Sequence, residues 1–379
     1  MLIFEIIFWI ILFSVFWTYL GYYCFLWIIA RIKKQKTEDN LIFPKVSIII
    51  TAYNEEDNIK RKIENSLSLD YPTKNLETII VSDGSTDRTN EIIKAYGEKG
   101  IRLLALPDRK GKDRGQGKGV SISNGDIIIL TDAATFLEKD AVRNIVRHFS
   151  QPKVGCVSGV DKIIENGQGN SGEGAYVRYE MGLRSLESQV SSLVVVSGCF
   201  FAVRRELCDE WQDDLTSDFY LPIITRMRNF RTVLDCEAVG YYGVVDDPKK
   251  EFERKVRTIV NGLRVLIRFK TILNPFAYGL YAFQVFSHKL LRWLVPFCLI
   301  PLYGINIALL DHSIFYQLFF AGQTLFYLAA VISIFLSGAR NVTALKIPFI
   351  FLISNFAALV AWIKLLSGNQ YRVWEPTKR

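Results

Sequence analysis

The residues best suited to chemistry stand where apolar runs stop. Gly125 to Thr135 reads GDIIILTDAAT, an Ile-rich run that ends abruptly at a carboxylate, Asp132. A short β-branched run bounded by Gly and Asp reads as a strand buried on both faces, and such strands belong to parallel sheets covered by helices. Two further runs end in polar groups, at Ala52-Tyr53-Asn54-Glu55 and at Asp83-Gly84-Ser85. In open α/β sheets ligands sit beyond the carboxyl ends of the strands, so these ends converge on one place. Between the last two lies Arg109 to Lys118, RKGKDRGQGK. Its glycines let backbone amides approach an anion while Lys and Arg neutralise it. A nucleoside diphosphate fits this set. Structural alternatives stand beside each reading: Asp132 as a helix cap, the strand ends as turn formers, the basic run as a solvated face.

The elements that must position these groups alternate. Val46 to Thr51 is a buried strand, after which Asn54 can cap a helix opened by Glu55, Glu56 and Asp57. Leu76 to Ser82 is a strand, Arg88 to Tyr96 a helix, Ile101 to Leu106 a strand, and Gln116 to Asn124 a short helix leading into the central strand. Asp140 to Phe149 is helical and Val154 to Val160 extended. This βαβα order predicts an α/β fold with a doubly wound, largely parallel sheet. Glu165 to Gly174 reads as a mobile loop and Ala175 to Val190 as a helix. Leu193 to Val203 is extended but interrupted at Ser197-Gly198-Cys199, and Asp218 starts a helix to about Arg228. Thr232 to Leu234 and Ala238 to Tyr242 are short strands. Lys249 to Lys270 is a basic amphipathic helix with Phe252, Val256, Ile259, Leu263 and Leu266 on one side, suited to lying in a membrane interface.

Half of the residues are hydrophobic, and they are unevenly spread. Leu2 to Ala30 is almost uninterrupted hydrocarbon followed by Arg31, Lys33, Lys34 and Lys36, which predicts a membrane span rather than a cleaved signal peptide. Apolar segments return near His288 to Leu309, Ile314 to Phe335 and Ile347 to Leu366. The positive-inside rule puts Arg31 to Lys36, Lys289, Arg292 and Arg340 in the cytoplasm, and the globular part with them. Three spans after that part would leave Lys364, Arg372, Lys378 and Arg379 on the far side, against the same rule, so one of them can be re-entrant. The six cysteines show no CxxC or Cys/His ligand spacing and read as reduced thiols. His148, His288 and His312 are too far apart in sequence to suggest a histidine metal centre. The net charge of +8 suits anionic lipid or phosphate handling. No P-loop, dinucleotide fingerprint, internal repeat or nucleic-acid motif is present.

The ordered succession ITAYNEED, IIVSDGSTD, GQGKGVSISNGD, LTDAAT, VVVSGCFFAVRRE and TSDFYLP, from about Pro44 to Arg268, resembles the family-two inverting glycosyltransferases of the GT-A fold. The membrane-integrated branch, with hyaluronan, cellulose, chitin and poly-N-acetylglucosamine synthases, is the nearer likeness. SHKLLRW and VWEPTKR also look like its bacterial members. The resemblance implies that Ala52, Tyr53, Glu55 and Asp83 hold nucleobase and ribose, and that Lys118 lies near the donor. It makes Asp132 the first acid of the DxD motif and the ligand of Mg²⁺ or Mn²⁺, with Ala134 in place of the second acid. A methyl cannot coordinate a hard cation, so either water, diphosphate and the Thr135 hydroxyl complete the metal shell or metal dependence is weakened. Thr216-Ser217-Asp218 matches the TED motif, whose last acid is the general base. Ser197, Gly198 and Cys199 fall where relatives place the acceptor sugar, and Trp211 either stacks on a sugar or is buried. The QxxRW motif is reduced to Arg254-Lys255-Val256-Arg257-Thr258, leaving Arg254 and Arg257 as a diphosphate clamp without the Trp that borders the acceptor in processive enzymes.

The expected organisation is an N-terminal span over 1–31, a cytoplasmic GT-A domain over 41–247, an interfacial helix over 248–275, about three C-terminal spans over 276–368 and a tail over 369–379. The expected activity is transfer of a sugar from a nucleoside diphosphate sugar, most commonly a UDP-sugar among relatives, to a growing polysaccharide with coupled export, at the cell (inner or plasma) membrane. The alternatives are a single addition to a lipid-linked acceptor and a nucleotide-sugar-binding scaffold without turnover. Expected partners are the bilayer and export partners or a second copy, with no nucleic acid.

Overall fold

The structure, a computed structural model, describes residues 1–33, 40–163, 171–243, 247–336 and 342–368. Helix α1 (Leu2–Phe16) continues through a π-helical turn into α2 (Tyr22–Ile32). Then come β1 (Val46–Ala52), α3 (Ile59–Leu67), β2 (Leu76–Asp83), α4 (Thr89–Lys94), β3 (Ile101–Leu106), α5 (Lys112–Ile122) and β4 (Ile127–Asp132). They are followed by β5 (Thr135–Leu137), α6 (Ala141–Arg147), β6 (Val154–Ile163), α7 (Ser171–Val190), β7 (Phe200–Arg204), α8 (Ser217–Met227), β8 (Arg231–Tyr242) and α9 (Pro248–Arg268). The remainder is helical: α10 (Pro275–Tyr278), α11 (Leu280–Val285), α12 (Leu291–Ala308), α13 (Ile314–Phe335) and α14 (Thr343–Leu366). Among the described residues four helical stretches are long and apolar enough to cross a membrane: Leu2–Ile32, Leu280–Ala308, Ile314–Phe335 and Ala344–Leu366.

The strands form one sheet in the order β3-β2-β1-β4-β7-β6-β8-β5. Alternation along the central strands sends successive residues to opposite faces. Ile48, Ile50, Ile80 and Ile129 meet Ile59 and Ile63 of α3, Ile93 of α4 and Val142 and Ile145 of α6. Ile49, Ile79, Val81, Ile128 and Leu130 meet Val120 of α5, Phe219 and Leu221 of α8 and Leu263 and Leu266 of α9. Each fully buried Ile stabilises by about 1.5–3 kcal/mol, so both faces must stay covered. Parallel pairing puts Ala52 beside Ser82 and Thr51 beside Asp132, so the carboxyl ends of β2, β1 and β4 form one edge.

The sheet is parallel from β3 to β4 and again between β6 and β8, as expected, but the pairs made by β7 and by β5 correct the expectation of parallel order beyond β4. Strand β7 enters at the carboxyl end of β4, with Phe200 opposite Thr131 and Arg204 opposite Ile127, and so runs antiparallel to β4 and to β6. Only Phe200–Arg204 of the segment expected to be extended from Leu193 is strand. The two short strands expected after Thr232 are one strand, β8, that shifts register against β6. Of the expected loop over Glu165 to Gly174, residues 165–170 lie outside the described residues, and 171–174 already belong to α7. Asn54 does not cap α3, which begins at Ile59. It adopts φ 51°, and its Oδ1 accepts from the Thr86 amide at 2.9 Å, tying β1 to the turn after β2 instead.

The basic helix α9 also departs from expectation, because protein covers much of the apolar face expected to meet lipid. Val256 and Val260 pack on Ala357 and Ala361 of α14, and Phe252 stacks on Phe356 at 5.9 Å. Small alanines let the two helices approach closely. Leu263 and Leu266 close over the second core of the sheet.

Candidate active site

At the β1–β2 end of the edge, backbone hydrogen bonds fix the geometry. Asp83 accepts the Lys110 amide on one oxygen at 3.0 Å and the Gly111 amide on the other at 2.7 Å. Gly111, at φ 103°, turns the chain there, so that α5 starts at Lys112. The helix expected from Gln116 therefore begins four residues earlier, at Lys112, inside the basic run. Tyr53 carries the Arg109 guanidinium over its ring at 3.8 Å, Ala52 is buried, and Glu55 accepts from Asn58 Nδ2 at 3.0 Å.

Lys112 joins this end to the next. Its Nζ lies 2.5 Å from Asp132 Oδ1 and donates to the Gly198 carbonyl at 2.7 Å. The Asp132 amide donates to the Cys199 carbonyl at 3.3 Å, a consequence of β7 starting beside the end of β4. Gly198 in turn lies against Asp218: a Cβ built on it would stand 2.9 Å from Asp218 Oδ2, so any side chain there would crowd the carboxylate. Thr216 Oγ1 donates to the other oxygen, Asp218 Oδ1, at 2.6 Å. Lys112, Asp132, Gly198, Cys199, Asp218, Arg254 and Arg257 thus line one cavity of about 230 Å³.

Other expected site residues stand elsewhere. Lys118 is exposed on α5 and does not line the cavity. Lys112, six positions earlier, is the lysine that reaches Asp132 and lines the cavity. Trp211 is half-buried, donating its indole Nε1 to the Asp113 carbonyl at 2.8 Å and meeting Tyr220 edge-on, so it is a packing residue rather than a cavity wall. Ser197 is buried behind the cavity, its Oγ 2.5 Å and 2.6 Å from the two oxygens of Asp161, and that bond shapes the turn that presents Gly198 and Cys199. Thr135 is buried with its methyl toward Gly240 and does not line the cavity. Arg254 makes a two-bond pair with Glu251, both at 2.7 Å.

Three ionisable groups that the motifs did not single out set the local field. Burial disfavours the Lys112 ammonium, but Asp132 and its neighbours outweigh it and hold the lysine charged. Burial pushes the Asp113 carboxyl up to about 7, against the hydrogen bond from the Ser217 amide and the charge of Lys112. Lys62 lies fully buried beneath the turn after β4, bonded to Thr131 Oγ1 at 3.2 Å and to the Thr135 carbonyl. Burial lowers it to about 7, with Asp132 opposing. The Gly-Lys pair at Gly111-Lys112 was the available signal for Lys112, whereas Lys62 carried none, being one of many helix lysines.

Among the described residues no group of three His, Cys, Asp or Glu could hold a metal by itself. Asp132 offers one carboxylate to the cavity. A single carboxylate fits an ion that takes its other ligands from water and from substrate phosphates.

Residues 47–211 match the family described as glycosyl transferase family 2. The poly-beta-1,6-N-acetyl-D-glucosamine synthase of Staphylococcus epidermidis is 23% identical over 310 residues, 76% of this chain and 74% of its own length. The probable glycosyltransferase YdaM of Bacillus subtilis is 37% identical over 128 residues, 32% of this chain and 30% of its own. The solved mannosyltransferase PcManGT of Pyrobaculum calidifontis, in complex with GDP-Man and Mn2+, shares the fold with a TM-score of 0.73 at 20% identity, covering 97% of this chain and 100% of its own. The matched segment contains Asp83, Lys112, Asp132 and Gly198, the groups that line this edge of the sheet, and the chain thus carries a glycosyl transferase family 2 domain with a GT-A fold.

Proposed function

We propose that the chain transfers a sugar from a UDP-sugar to a hydroxyl of a growing polysaccharide, with inversion and with export coupled to synthesis. The observation that carries this reading is the Lys112 ammonium, which touches both Asp132 and the Gly198 carbonyl and so ties the donor edge to the cavity that holds Asp218. The name of the Staphylococcus epidermidis relative supports a polymer of amino sugars as product.

In this reading Asp218 accepts the proton of the acceptor hydroxyl as it attacks the anomeric carbon, and Gly198, having no side chain to crowd Oδ2, leaves that oxygen approachable from the cavity. Direct displacement from the face opposite the leaving group inverts the carbon. Lys112, Arg254 and Arg257 neutralise the diphosphate as it leaves, and fixed charges in a cavity do this without reorganising at the moment of reaction. Asp132 would hold Mg²⁺ or Mn²⁺, which when bound adds positive charge to the diphosphate. Asp83, Tyr53 and Ala52 form the nucleoside end. Residues 41–247 would be the cytoplasmic catalytic domain, 248–275 a helix at the membrane surface, and 1–31 and 276–368 the membrane anchors.

The test is to incubate the purified chain with a panel of UDP-, GDP- and dTDP-sugars, with and without chelator, and measure nucleotide release and product length. Consumption of a UDP-sugar into long product is expected, with a loss in chelator. Full activity in chelator would leave the diphosphate to Lys112, Arg254 and Arg257 alone. A second reading, a single addition to a lipid-linked acceptor, is favoured by the cavity wall: Lys289 and Trp293 in it come from a helix apolar enough to cross a membrane. A product lengthened by one sugar would select that reading.

A further inference from the structure

We propose that Lys62 is a positioning residue for the donor's diphosphate: from beneath the turn that carries Asp132 it fixes that turn and adds a second positive charge to the place where the diphosphate is held. The inference rests on the glycosyl transfer proposed above and assigns to it a residue that lies outside the motifs and outside the cavity wall.

Lys62 is on α3, fully buried, and does not line the cavity. Its Nζ donates to Thr131 Oγ1 at 3.2 Å and to the Thr135 carbonyl. Those two residues flank Asp132-Ala133-Ala134, one near the end of β4 and the other at the start of β5, so a single ammonium brackets the turn. Helix α3 grips the next residues as well. Arg61 lays its guanidinium over the Phe136 ring at 4.2 Å, and Asn65 exchanges two hydrogen bonds with the Leu137 backbone, at 2.8 Å and 2.9 Å.

Asn65 separates holding the segment from charging it. With an uncharged amide, three residues along the same helix, it already ties β5 to α3, so the tie alone does not call for an ammonium. A charge in this place is costly: the two oxygens that Lys62 bonds are neutral, and burial lowers it to about 7. What favours the charged form is Asp132, acting through space from the turn, with Cys199 adding to it. A buried ionisable group so perturbed beside a cavity points to function more than to packing.

Asp132 thereby answers to two lysines, Lys62 under the turn and Lys112 on the cavity side at 2.5 Å. Ala134, where the motif's second acid would stand, adds no negative charge. The turn is left electropositive, and the group of opposite charge that reaches it from the cavity is the diphosphate. Sealed off from the cavity, Lys62 cannot touch the phosphates, so its effect reaches them through the turn it holds and the field it sets, both in place before the donor arrives.

The full-length protein in dodecyl maltoside micelles is titrated by calorimetry with inorganic pyrophosphate and with uridine at one fixed magnesium concentration, a readout that requires no turnover. Lys62→Met and Lys62→Gln are each expected to lose about ten-fold in pyrophosphate affinity, while uridine affinity stays within about two-fold of wild type because the Asp83 end is untouched. Asn65→Ala, which cuts the uncharged tie, is expected to hold pyrophosphate within about two-fold of wild type. The Gln variant carries the test should the Met variant fail to fold. Unchanged pyrophosphate affinity in both Lys62 variants overturns the proposal, as does a wild type that does not bind pyrophosphate. An equal loss of pyrophosphate and uridine also overturns it, by making Lys62 a support of the fold alone. A loss in Asn65→Ala as large as in Lys62→Met, or wild-type affinity in Lys62→Gln alone, overturns the electrostatic part. Failure of the transferase reading would instead appear as absent nucleotide-sugar turnover with the Lys62 dependence of pyrophosphate binding intact.

Discussion

The two ends of the site are built by different means. At the Asp83 end, both carboxylate oxygens are taken by the amides of Lys110 and Gly111, and the partners come from loops directly following adjacent parallel strands. At the Asp218 end, the wall is assembled from α5, the turn before β7, α8, α9 and a membrane-class helix, held by the ion pair of Lys112 with Asp132 and by packing on Gly198 and Gly262. Backbone bonds shape the first end before any substrate arrives. Side-chain charges set the second, so substitutions there should act on chemistry more than on binding.

The largest effect should come from Asp218→Asn, which keeps the shape and removes the base. Turnover is expected to fall by about 10²–10⁴-fold, while nucleotide affinity, measured by calorimetry, stays within about two-fold of wild type because the Asp83 end is untouched. Equal nucleotide release from both proteins would remove Asp218 from the mechanism. Next is Lys112→Met, the one change that should strike both ends, since its ammonium reaches Asp132 and Gly198 together. A loss of about 10²–10³-fold in kcat/KM is expected, shared between weaker donor affinity and slower turnover. A pure KM effect would detach Lys112 from the chemistry and break the link between the ends.

The same contrast explains what the sequence revealed. The Asp83 end was legible because its parts are short, contiguous motifs at strand ends, where a run such as VSIIIT or IIILTD stops at a polar residue. Asp132 and Asp218 were also placed together correctly, as members of one cavity. What failed was geometry set by distant partners. Lys118 and Lys112 are both lysines after a glycine in one basic stretch, and only the bonds from Asp83 to Lys110 and Gly111 determine where α5 begins and which lysine turns inward. Trp211 was open in the sequence between stacking on a sugar and packing inside, and the bond of its indole to the Asp113 carbonyl, 98 positions away, is what sets its packing. The apolar face of α9 gave the period of a membrane-surface helix, and nothing in it announced that Ala357 and Ala361 would cover it. The left-handed backbone of Asn54 was hidden for the same reason, its partner Thr86 lying beyond the next strand.

A smaller effect should separate the field of the second end from its shape. Burial holds the Asp113 carboxyl up at about 7, far above the unfolded range. Between about pH 4 and pH 7 the unfolded chain has therefore lost a proton that the folded chain keeps, so stability from this group is greatest below that window and falls as pH rises through it. Thermal unfolding in detergent at pH 5, 6, 7 and 8 should show a midpoint falling by a few degrees in wild type, with Asp113→Asn flattening that trend while its amide oxygen still accepts from Ser217. An unchanged slope in the variant would shift the pH dependence to other groups, with Lys62 the next to test.

The smallest effect is expected at Lys118, and it bears directly on which lysine serves the donor. On α5 the side chain at 118 is exposed, six residues after Lys112, and six residues turn a helix by 600°, which leaves it about 120° away from Lys112 around the axis. A lysine so placed cannot reach Asp132 unless the helix unwinds. Lys118→Ala should therefore leave KM for the nucleotide sugar within about two-fold of wild type at physiological salt, where exposed charges are largely screened. A ten-fold rise in KM would mean that α5 reorganises when donor binds, with Lys118 exchanging for Lys112 at the diphosphate. The prefolded character assigned to the Asp83 end would then fail, because the amides of Lys110 and Gly111 that fix the start of α5 would have to release Asp83 first.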